Sequence, residues 1–241
     1  MKIKAVMLDS GYVLNRSATG NWFIPPVFFN YVDKEKWDGL DQQRLASAFR
    51  AAMKYIIGQS LIKDKEEELL HFKEFYQIFS SQLPELGLTE EKTDCLASDM
   101  VNNAKKYVFY DDALRVIPRL KQRYQLAVIS DAWPSLVDIF KENDVYDCFD
   151  AFVISSFIGA TKPDAKMYLT ALEQLKVLPE EAVFVDDNPA NCVGALKVGV
   201  HAVLLCRDRR QYIRQKFRAI GKGYRVIGSL DRLERIISKH L

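Results

Sequence analysis

Short runs of consecutive apolar residues recur along the second half of the chain, and one such run lies near its beginning. Most are rich in β-branched or aromatic residues and are continuous rather than alternating, which is typical of parallel strands buried on both faces of a sheet. We predict strands at Ile3–Leu8, Leu126–Ser130, Ala151–Ser155, Val183–Asp186, Ala202–Leu205 and Tyr224–Ile227.

Helical patterns separate or follow these later runs. They cover Trp133–Asn143, Ala165–Leu175, Ala190–Lys197 and a last stretch near Leu230–Lys239. Strands that alternate with helices are typical of a doubly wound α/β domain. We therefore expect a mainly parallel, Rossmann-like sheet.

One interval, from about Asn15 to Tyr107, contains no convincing strand. It holds three amphipathic helical stretches instead, near Asp41–Ile57, Lys65–Gln82 and Glu90–Lys106. The first strand is thus separated from the rest of the sheet by helices. We predict an α/β core made of residues 1–14 and 108–241, with an all-helical domain inserted at residues 15–107.

The inserted helical stretches include one with a clear apolar face, and two of them begin after residues that typically cap a helix. In the second stretch, apolar residues recur at three-to-four spacing and mark one buried face: Leu69, Phe72, Tyr76 and Phe79. Asp64 is placed to cap the start of that helix, with Glu67 three residues on as in a capping box. Thr89 is placed to cap the third helix in the same way.

Composition restricts the class of protein. A chain of 241 residues with 49% hydrophobic residues has room for a core domain and an inserted one. The net charge of +2 gives no reason to expect nucleic acid or a membrane as a partner. We see neither a signal-peptide pattern nor a stretch of ~20 apolar residues.

The cysteines indicate the compartment in which the protein is expected to work. Cys95, Cys148, Cys192 and Cys206 are widely scattered and lack the spacing of a zinc site or a disulfide framework. Free thiols are typical of a reducing compartment. We therefore expect a cytoplasmic protein.

Polar residues directly follow several of the predicted strands. In open α/β sheets, ligands bind at this place, beyond the carboxyl ends of the strands. These ends read Asp9-Ser10-Gly11, Ser130-Asp131-Ala132, Thr161-Lys162-Pro163 and Asp186-Asp187-Asn188. Converging carboxylates repel one another, and a bound divalent cation removes that repulsion. Oxygen ligands favour magnesium. A lysine and a metal ion can neutralise a phosphoryl group while an aspartate acts as nucleophile.

The ordered set Asp9, Ser130, Lys162 and Asp186-Asp187 resembles the four motifs of the haloacid dehalogenase-like superfamily. The resemblance extends from Asp9 to Asn191, and the helical insertion lies where that superfamily places its cap domain. It implies a magnesium-dependent phosphomonoester hydrolase. By the family pattern the substrate is a small soluble phosphorylated metabolite, and we expect a monomer or a homodimer.

The resemblance assigns a role to each matching position. Asp9 looks like the nucleophile that forms an aspartyl-phosphate and also ligates the metal. Ser130 looks like the hydroxyl that binds phosphoryl oxygens, and Lys162 like the cation that steadies nucleophile and phosphate. The metal is bound, by the same resemblance, through the Gly11 carbonyl, Asp186 and Asp187, and Asn191 supports these ligands. Asp131 and Ala132 are assigned to substrate binding.

The chain departs from the family pattern at Gly11. The family's phosphatases usually carry there a second aspartate, which protonates the leaving group, and the next residue, usually glycine, is Tyr12. General acid–base catalysis is typically worth ~10²–10⁴-fold. Three explanations stay open: a substrate with a good leaving group, another acid such as Asp131 or a residue of the inserted domain, or a protein without turnover.

Two rival functions stay open. A catalytically silent protein would keep the fold and bind metal and phosphate for regulation. A dehalogenase is the other chemistry of this fold, but such enzymes lack the acidic pair that here is Asp186-Asp187.

Overall fold

The computed structural model describes residues 2–59 and 61–240. Within them lie eight strands: β1 (Ala5–Leu8), β2 (Asn15–Ser17), β3 (Tyr107–Phe109), β4 (Gln125–Ser130), β5 (Ala151–Ile154), β6 (Ala182–Asp186), β7 (His201–Leu205) and β8 (Arg225–Ile227). The same residues form twelve α-helices: α1 (Phe28–Tyr31), α2 (Lys34–Asp38), α3 (Gln42–Ile57), α4 (Lys65–Ser81), α5 (Glu90–Asn102), α6 (Asp111–Lys121), α7 (Leu136–Glu142), α8 (Ser155–Ile158), α9 (Ala165–Leu175), α10 (Pro189–Lys197), α11 (Arg209–Arg218) and α12 (Leu233–His240).

The chain divides into two compact units. The core unit comprises the chain up to Arg16, Phe109–Ala132, and the chain from Phe140 onward. The helical unit comprises Ser17–Val108 and the short segment Trp133–Ile139. The chain therefore leaves the core unit twice, after β1 and again after β4.

A six-stranded sheet forms the centre of the core unit. Its order is β5-β4-β1-β6-β7-β8, and all neighbours are parallel. This confirms the predicted α/β fold with a mainly parallel sheet. Successive strands run outward from β1 in both directions, so the strand order reverses beside β1. In such sheets the crevice at the carboxyl end of the reversal point is the usual ligand site.

Helices bury the sheet in the core unit. Helices α9 and α10 pack against β4 to β7, and the shared core includes Met7, Ile129, Tyr168 and Phe184. All four residues of β1 are buried, which explains why its sequence is continuously apolar. Each of these two helices begins at a capping side chain, Asp164 for α9 and Asn188 for α10.

The helical unit has its own core between α3, α4 and α5. Of the four residues on the predicted apolar face of α4, Phe72, Tyr76 and Phe79 are fully buried. The Asp64 carboxylate accepts a hydrogen bond from Glu67 N, and the Thr89 hydroxyl accepts one from Lys92 N, as predicted. The capping box forms only in part, because the Glu67 carboxylate accepts from Lys63 N rather than from the backbone of Asp64.

Three details differ from the sequence-based prediction. Strands β2 and β3 pair in a small sheet within a stretch expected to be free of strands; three residues are too few to produce a periodic signal. Helix α7 begins at Leu136 rather than Trp133, since a residue that precedes a proline disfavours helical backbone. Helix α5 ends at Asn102 rather than Lys106.

None of the helices in the described part of the chain is long and apolar enough to cross a membrane. The four cysteines are unpaired, and Cys192 and Cys206 are buried.

Candidate active site

Asp9 lies directly after β1, where the strand order reverses. Its backbone N–H donates to Val185 O on the neighbouring strand at 2.9 Å, which continues the sheet pairing by one residue. The next N–H, of Ser10, donates to Asp9 Oδ1 at 2.7 Å. Asp9 is only 8% exposed. The chain therefore fixes this carboxylate at the crevice of the sheet.

Lys162 connects three strand ends of the core unit. Its Nζ lies 2.6 Å from Asp9 Oδ1 and 3.0 Å from Asp186 Oδ2, and it donates to Ile129 O at 3.1 Å. Its side chain is 2% exposed. A buried ammonium with three oxygen partners is held in one position, so Lys162 holds the Asp9 carboxylate in place.

Three carboxylates meet around this lysine. Oxygens of Asp9, Asp186 and Asp187 all lie within 4.8 Å of one another. Asp186 is fully buried; its Oδ1 accepts from Asn188 N at 2.7 Å and its Oδ2 from Asn191 Nδ2 at 3.1 Å. Asn191 thus contacts a carboxylate of the cluster.

The electrostatics show a surplus of negative charge. Burial, together with Asp186 and Asp187, raises the pKa of Asp9 to about 8 against the opposing effect of Lys162. Burial and the neighbouring Asp186 raise the pKa of Asp187 to about 6. Burial works against the charged form of Lys162, but Asp9 and Asp186 outweigh it and raise the pKa of the lysine.

These donors fit a magnesium ion. One lysine lies among three carboxylates, and burial together with repulsion between them raises the pKa values of Asp9 and Asp187. A bound divalent cation would stabilise the charged forms against both effects. The ligand atoms are hard oxygens, which Mg²⁺ prefers. Asp9, Asp186 and Asp187 are therefore the side chains that would hold the ion.

The predicted phosphate-binding loop follows β4. Ser130 is 4% exposed at the carboxyl end of that strand. The Asp131 carboxylate accepts from Lys162 N at 2.9 Å, and burial raises the pKa of Asp131. The Ala132 N–H donates to Ser155 Oγ at 3.0 Å, and that hydroxyl in turn lies 3.2 Å from Ala132 O. Asp131 thus contacts the backbone of Lys162, Ser130 precedes it at the end of β4, and the Ala132 backbone is bound to Ser155.

Two residues of this site were missed from the sequence. Ser155 holds the loop at Ala132, although a single serine after a strand gives no signal. Gly194 in α10 leaves no room for a side chain: a Cβ there would lie 2.7 Å from Pro163 Cβ and 2.9 Å from the Tyr168 hydroxyl. Its absence of a side chain lets α10 approach the segment that carries Lys162. A glycine inside a predicted helix was the available signal.

Gly11 and Tyr12 occupy the loop in which the pattern departs from the family. Tyr12 has a φ of 56°, in the left-handed region where glycine is preferred. Gly11 forms an isolated bridge with Asn15. The backbone at Tyr12 thus keeps a conformation suited to glycine although the side chain has changed.

The fold and the cluster define a doubly wound α/β protein with a candidate metal site at the carboxyl edge of its sheet. Residues 27–205 match the family model described as haloacid dehalogenase-like hydrolase. That match covers most of the chain, so the chain belongs to the haloacid dehalogenase-like hydrolase family. The matched residues begin after Asp9, so this match does not bear on the predicted role of Asp9.

Named relatives include phosphatases. The chain is 31% identical over 140 residues to a phosphoserine phosphatase of Thermus thermophilus, a match that covers 56% of this chain and 55% of that protein's length. It is 26% identical over 185 residues to a glyceraldehyde 3-phosphate phosphatase of Methanopyrus kandleri, which covers 68% of this chain and 77% of that protein. Both matches are to proteins named as phosphatases, and the first spans only about half of its relative's length.

Solved structures share the fold over nearly the whole chain. A phosphatase of this superfamily from Thermococcus onnurineus has a TM-score of 0.63 at 22% identity, with 98% of each chain covered. A 2-haloacid dehalogenase from Pseudomonas syringae has a TM-score of 0.65 at 17% identity, with 99% of this chain and 100% of that chain covered. At such identities the likeness shows the fold, which both chemistries use.

Proposed function

We propose that this protein is a magnesium-dependent phosphomonoester hydrolase that acts through an aspartyl-phosphate on Asp9. The observation that carries the proposal is the contact of the Lys162 ammonium with Asp9 and Asp186 beside the third carboxylate, Asp187. This set supplies a nucleophile, a fixed positive charge and ligands for a divalent cation. Phosphoryl transfer requires such positioning and charge compensation more than it requires strong acids or bases.

The chemical step assigns one task to each side chain. An Asp9 oxygen attacks phosphorus and forms an O–P bond, while the bond to the leaving oxygen breaks; water later cleaves the new bond and releases phosphate. Lys162 orients Asp9 and offsets charge on the phosphoryl group, and Ser130 donates a hydrogen bond to a phosphoryl oxygen. Magnesium, held by Asp9, Asp186, Asp187 and the Gly11 carbonyl, would supply further charge neutralisation.

The leaving oxygen must still receive a proton, and Gly11 cannot donate one. A substrate with a good leaving group, such as an acyl, aryl or anomeric phosphate, needs little help. Asp131 is a second source, because its pKa is raised by burial and it lies in the same loop as Ser130. A silent protein that binds metal and phosphate without turnover is the rival function that Gly11 keeps open.

A dehalogenase is the less favoured alternative. The resemblance to a solved 2-haloacid dehalogenase concerns the fold alone. A substrate without phosphate gives no use to the acidic cluster of Asp9, Asp186 and Asp187. Its presence therefore supports phosphate chemistry.

The relatives named for phosphoserine and glyceraldehyde 3-phosphate suggest a small phosphorylated metabolite as substrate. We further propose a cytoplasmic monomer or homodimer that uses neither nucleic acid nor a membrane as partner. In it residues 15–107 serve as the cap domain of the family.

The test is phosphate release from a panel of small phosphate esters and acyl phosphates, with and without magnesium. The matched variants are Asp9→Asn, which removes the nucleophile, and Gly11→Asp, which restores the usual acid. Turnover that requires magnesium and disappears in Asp9→Asn supports the proposal. An inactive wild type beside an active Gly11→Asp variant would instead support the silent binding protein.

A further inference from the structure

Arg207 contacts the loop that follows the proposed nucleophile. It lies just after β7, at the carboxyl edge of the sheet. Its Nε donates to Tyr12 O at 3.1 Å, and one terminal nitrogen donates to Val13 O at 2.6 Å. Its guanidinium also stacks over the Tyr110 ring, with the central carbon 3.6 Å from the ring centroid. One side chain thus binds two consecutive carbonyls of the loop.

The loop needs such support at Tyr12. A non-glycine residue in the left-handed region stores strain on the order of 1–3 kcal/mol. The Tyr12 N–H donates to Asn15 O at 2.7 Å, while the Tyr12 carbonyl accepts from Arg207. These two bonds fix both peptide planes that flank the strained residue.

Fixing the first of these planes also fixes the Gly11 carbonyl. A peptide group is planar and trans, so its C=O points opposite to its N–H. Because the Tyr12 N–H is directed at Asn15 O, that bond sets the direction of the Gly11 carbonyl. Arg207 supports this arrangement from the other side of Tyr12, by holding the Tyr12 and Val13 carbonyls. The Gly11 carbonyl is the backbone ligand that the proposed function assigns to magnesium.

Asp112 fixes Arg207 in turn. The guanidinium lies 2.9 Å from Asp112 Oδ1 and donates to Oδ2 at 3.1 Å. Asp112 Oδ2 also accepts from the Ser229 hydroxyl and from Leu230 N, each at 3.0 Å. Arg207 is only 22% exposed in this arrangement. The loop is therefore tied through Arg207 to the start of α6 and to the segment after β8.

We propose that Arg207 is a positioning residue for the reaction, which holds the Gly11–Val13 loop in the conformation that the metal site requires. The inference rests on the proposed function, because it takes the Gly11 carbonyl as a ligand. The competing interpretation is a purely structural tie between the loop and α6. That interpretation predicts a loss of stability but no specific loss of metal binding.

The experiment compares three variants of the full chain. Arg207→Gln removes the charged fork, Asp112→Asn removes the anion beside it but leaves Arg207 its bonds to Tyr12 and Val13, and Arg115→Gln is the matched control. Arg115 lies on the same helix as Asp112 and makes an exposed ion pair with Asp231 at 3.1 Å. Magnesium binding is measured by calorimetry without substrate, beside kcat, KM and unfolding by urea.

We expect Arg207→Gln to bind magnesium about 10- to 100-fold more weakly, the range typical of removing a group that orients a metal ligand. Its kcat falls at saturating magnesium while KM for the phosphate ester changes little. Asp112→Asn loses stability with a smaller effect on magnesium affinity, and Arg115→Gln binds magnesium as the wild type does. If Arg207→Gln does not fold, Arg207→Lys, which keeps the charge but cannot span both carbonyls, is measured in the same way.

Two results would overturn the inference. One is wild-type magnesium affinity and kcat in a folded Arg207→Gln variant. The other is an equal loss of magnesium affinity and stability in Arg207→Gln and Asp112→Asn, which would indicate the structural tie. A wild type without turnover, whose magnesium binding still weakens in Arg207→Gln, would refute the proposed phosphatase but support the role of Arg207.

Discussion

Replacing Lys106 by methionine should strongly destabilise the helical unit. Lys106 is 5% exposed, and its Nζ donates to Met100 O and, at 2.7 Å, to Ser135 Oγ. The Ser135 hydroxyl and N–H both donate to the carboxylate of Glu68, which is fully buried, at 2.5 and 2.7 Å. Burial lowers the pKa of Lys106 to about 8 and raises the pKa of Glu68. Lys106 is thus the cation that compensates a buried carboxylate.

The size of the effect depends on whether Glu68 stays charged or takes up a proton in the variant. Removing one partner of a buried ion pair in direct contact typically costs about 3–5 kcal/mol, and here Ser135 bridges Lys106 and Glu68. Glu68 can avoid part of that cost by taking up a proton. From its ordinary pKa of 4.5, protonation at pH 7 costs about 3.5 kcal/mol, at ~1.4 kcal/mol per pH unit. We therefore expect Lys106→Met to lose about 3 kcal/mol at pH 7. Most of the loss should be recovered in the double variant with Glu68→Gln.

The sign of the pH dependence gives a second check. In Lys106→Met the pKa of Glu68 in the folded state is raised further above its value in the unfolded state. The stability that the folded state gains from protonated Glu68 is therefore complete below pH 4.5, and it is lost as the pH rises through the folded-state pKa. The deficit should therefore shrink between pH 7 and pH 5. Urea unfolding followed by tryptophan fluorescence reports the helical unit, because it contains all three tryptophans, Trp22, Trp37 and Trp133. A loss below about 1 kcal/mol, or an equal deficit at both pH values, would refute this reasoning.

Three further predictions concern the core unit. Burial tends to raise the pKa of Asp112, but hydrogen bonds to its carboxylate outweigh it and lower the pKa below 3.8. Asp112→Asn should therefore lose about 2 kcal/mol of stability at pH 7. Urea unfolding should show the difference between the variant and the wild type disappear as the pH falls through that lowered pKa. Gly194→Ala places a Cβ against Pro163, so it should cost about 1–3 kcal/mol and lower kcat by displacing Lys162; normal stability and kcat would contradict this. If Asp131 supplies the proton, Asp131→Asn should slow hydrolysis of alkyl phosphates about 100-fold but hardly affect activated aryl or acyl phosphates, whereas an equal effect on both classes would exclude that role.

The strands of the sheet and the residues at their ends could be predicted because both depend on local sequence. A strand buried on both faces must be apolar along its whole length, so β1 and β6 are visible as apolar runs. The polar residue that ends each run then marks the carboxyl edge. That is why Asp9 and Asp186 could be found without coordinates, and the structure brings both to Lys162.

Other parts of the site depend on neighbours that are distant in sequence. Arg207 lies more than 190 residues from the loop that it contacts, and a single arginine in a basic stretch carries no sign of that contact. Ser155 and Gly194 matter because of what packs beside them, which periodicity does not report. Ser135 belongs to the segment Trp133–Ile139, which clusters with the helical unit because its side chains pack there; the sequence pattern shows only a helix start at this place.

The most direct test of the proposed mechanism is to look for the phosphoryl group on Asp9. The protein is mixed with magnesium and the phosphate ester or acyl phosphate that it hydrolyses fastest, the reaction is quenched in acid, and the phosphorylated peptide is mapped by mass spectrometry. We predict a phosphoryl group on the peptide that contains Asp9, absent without magnesium and absent in Asp9→Asn. Phosphate release with no phosphorylated Asp9, or with the phosphoryl group on another residue, would contradict the assignment of Asp9 as nucleophile.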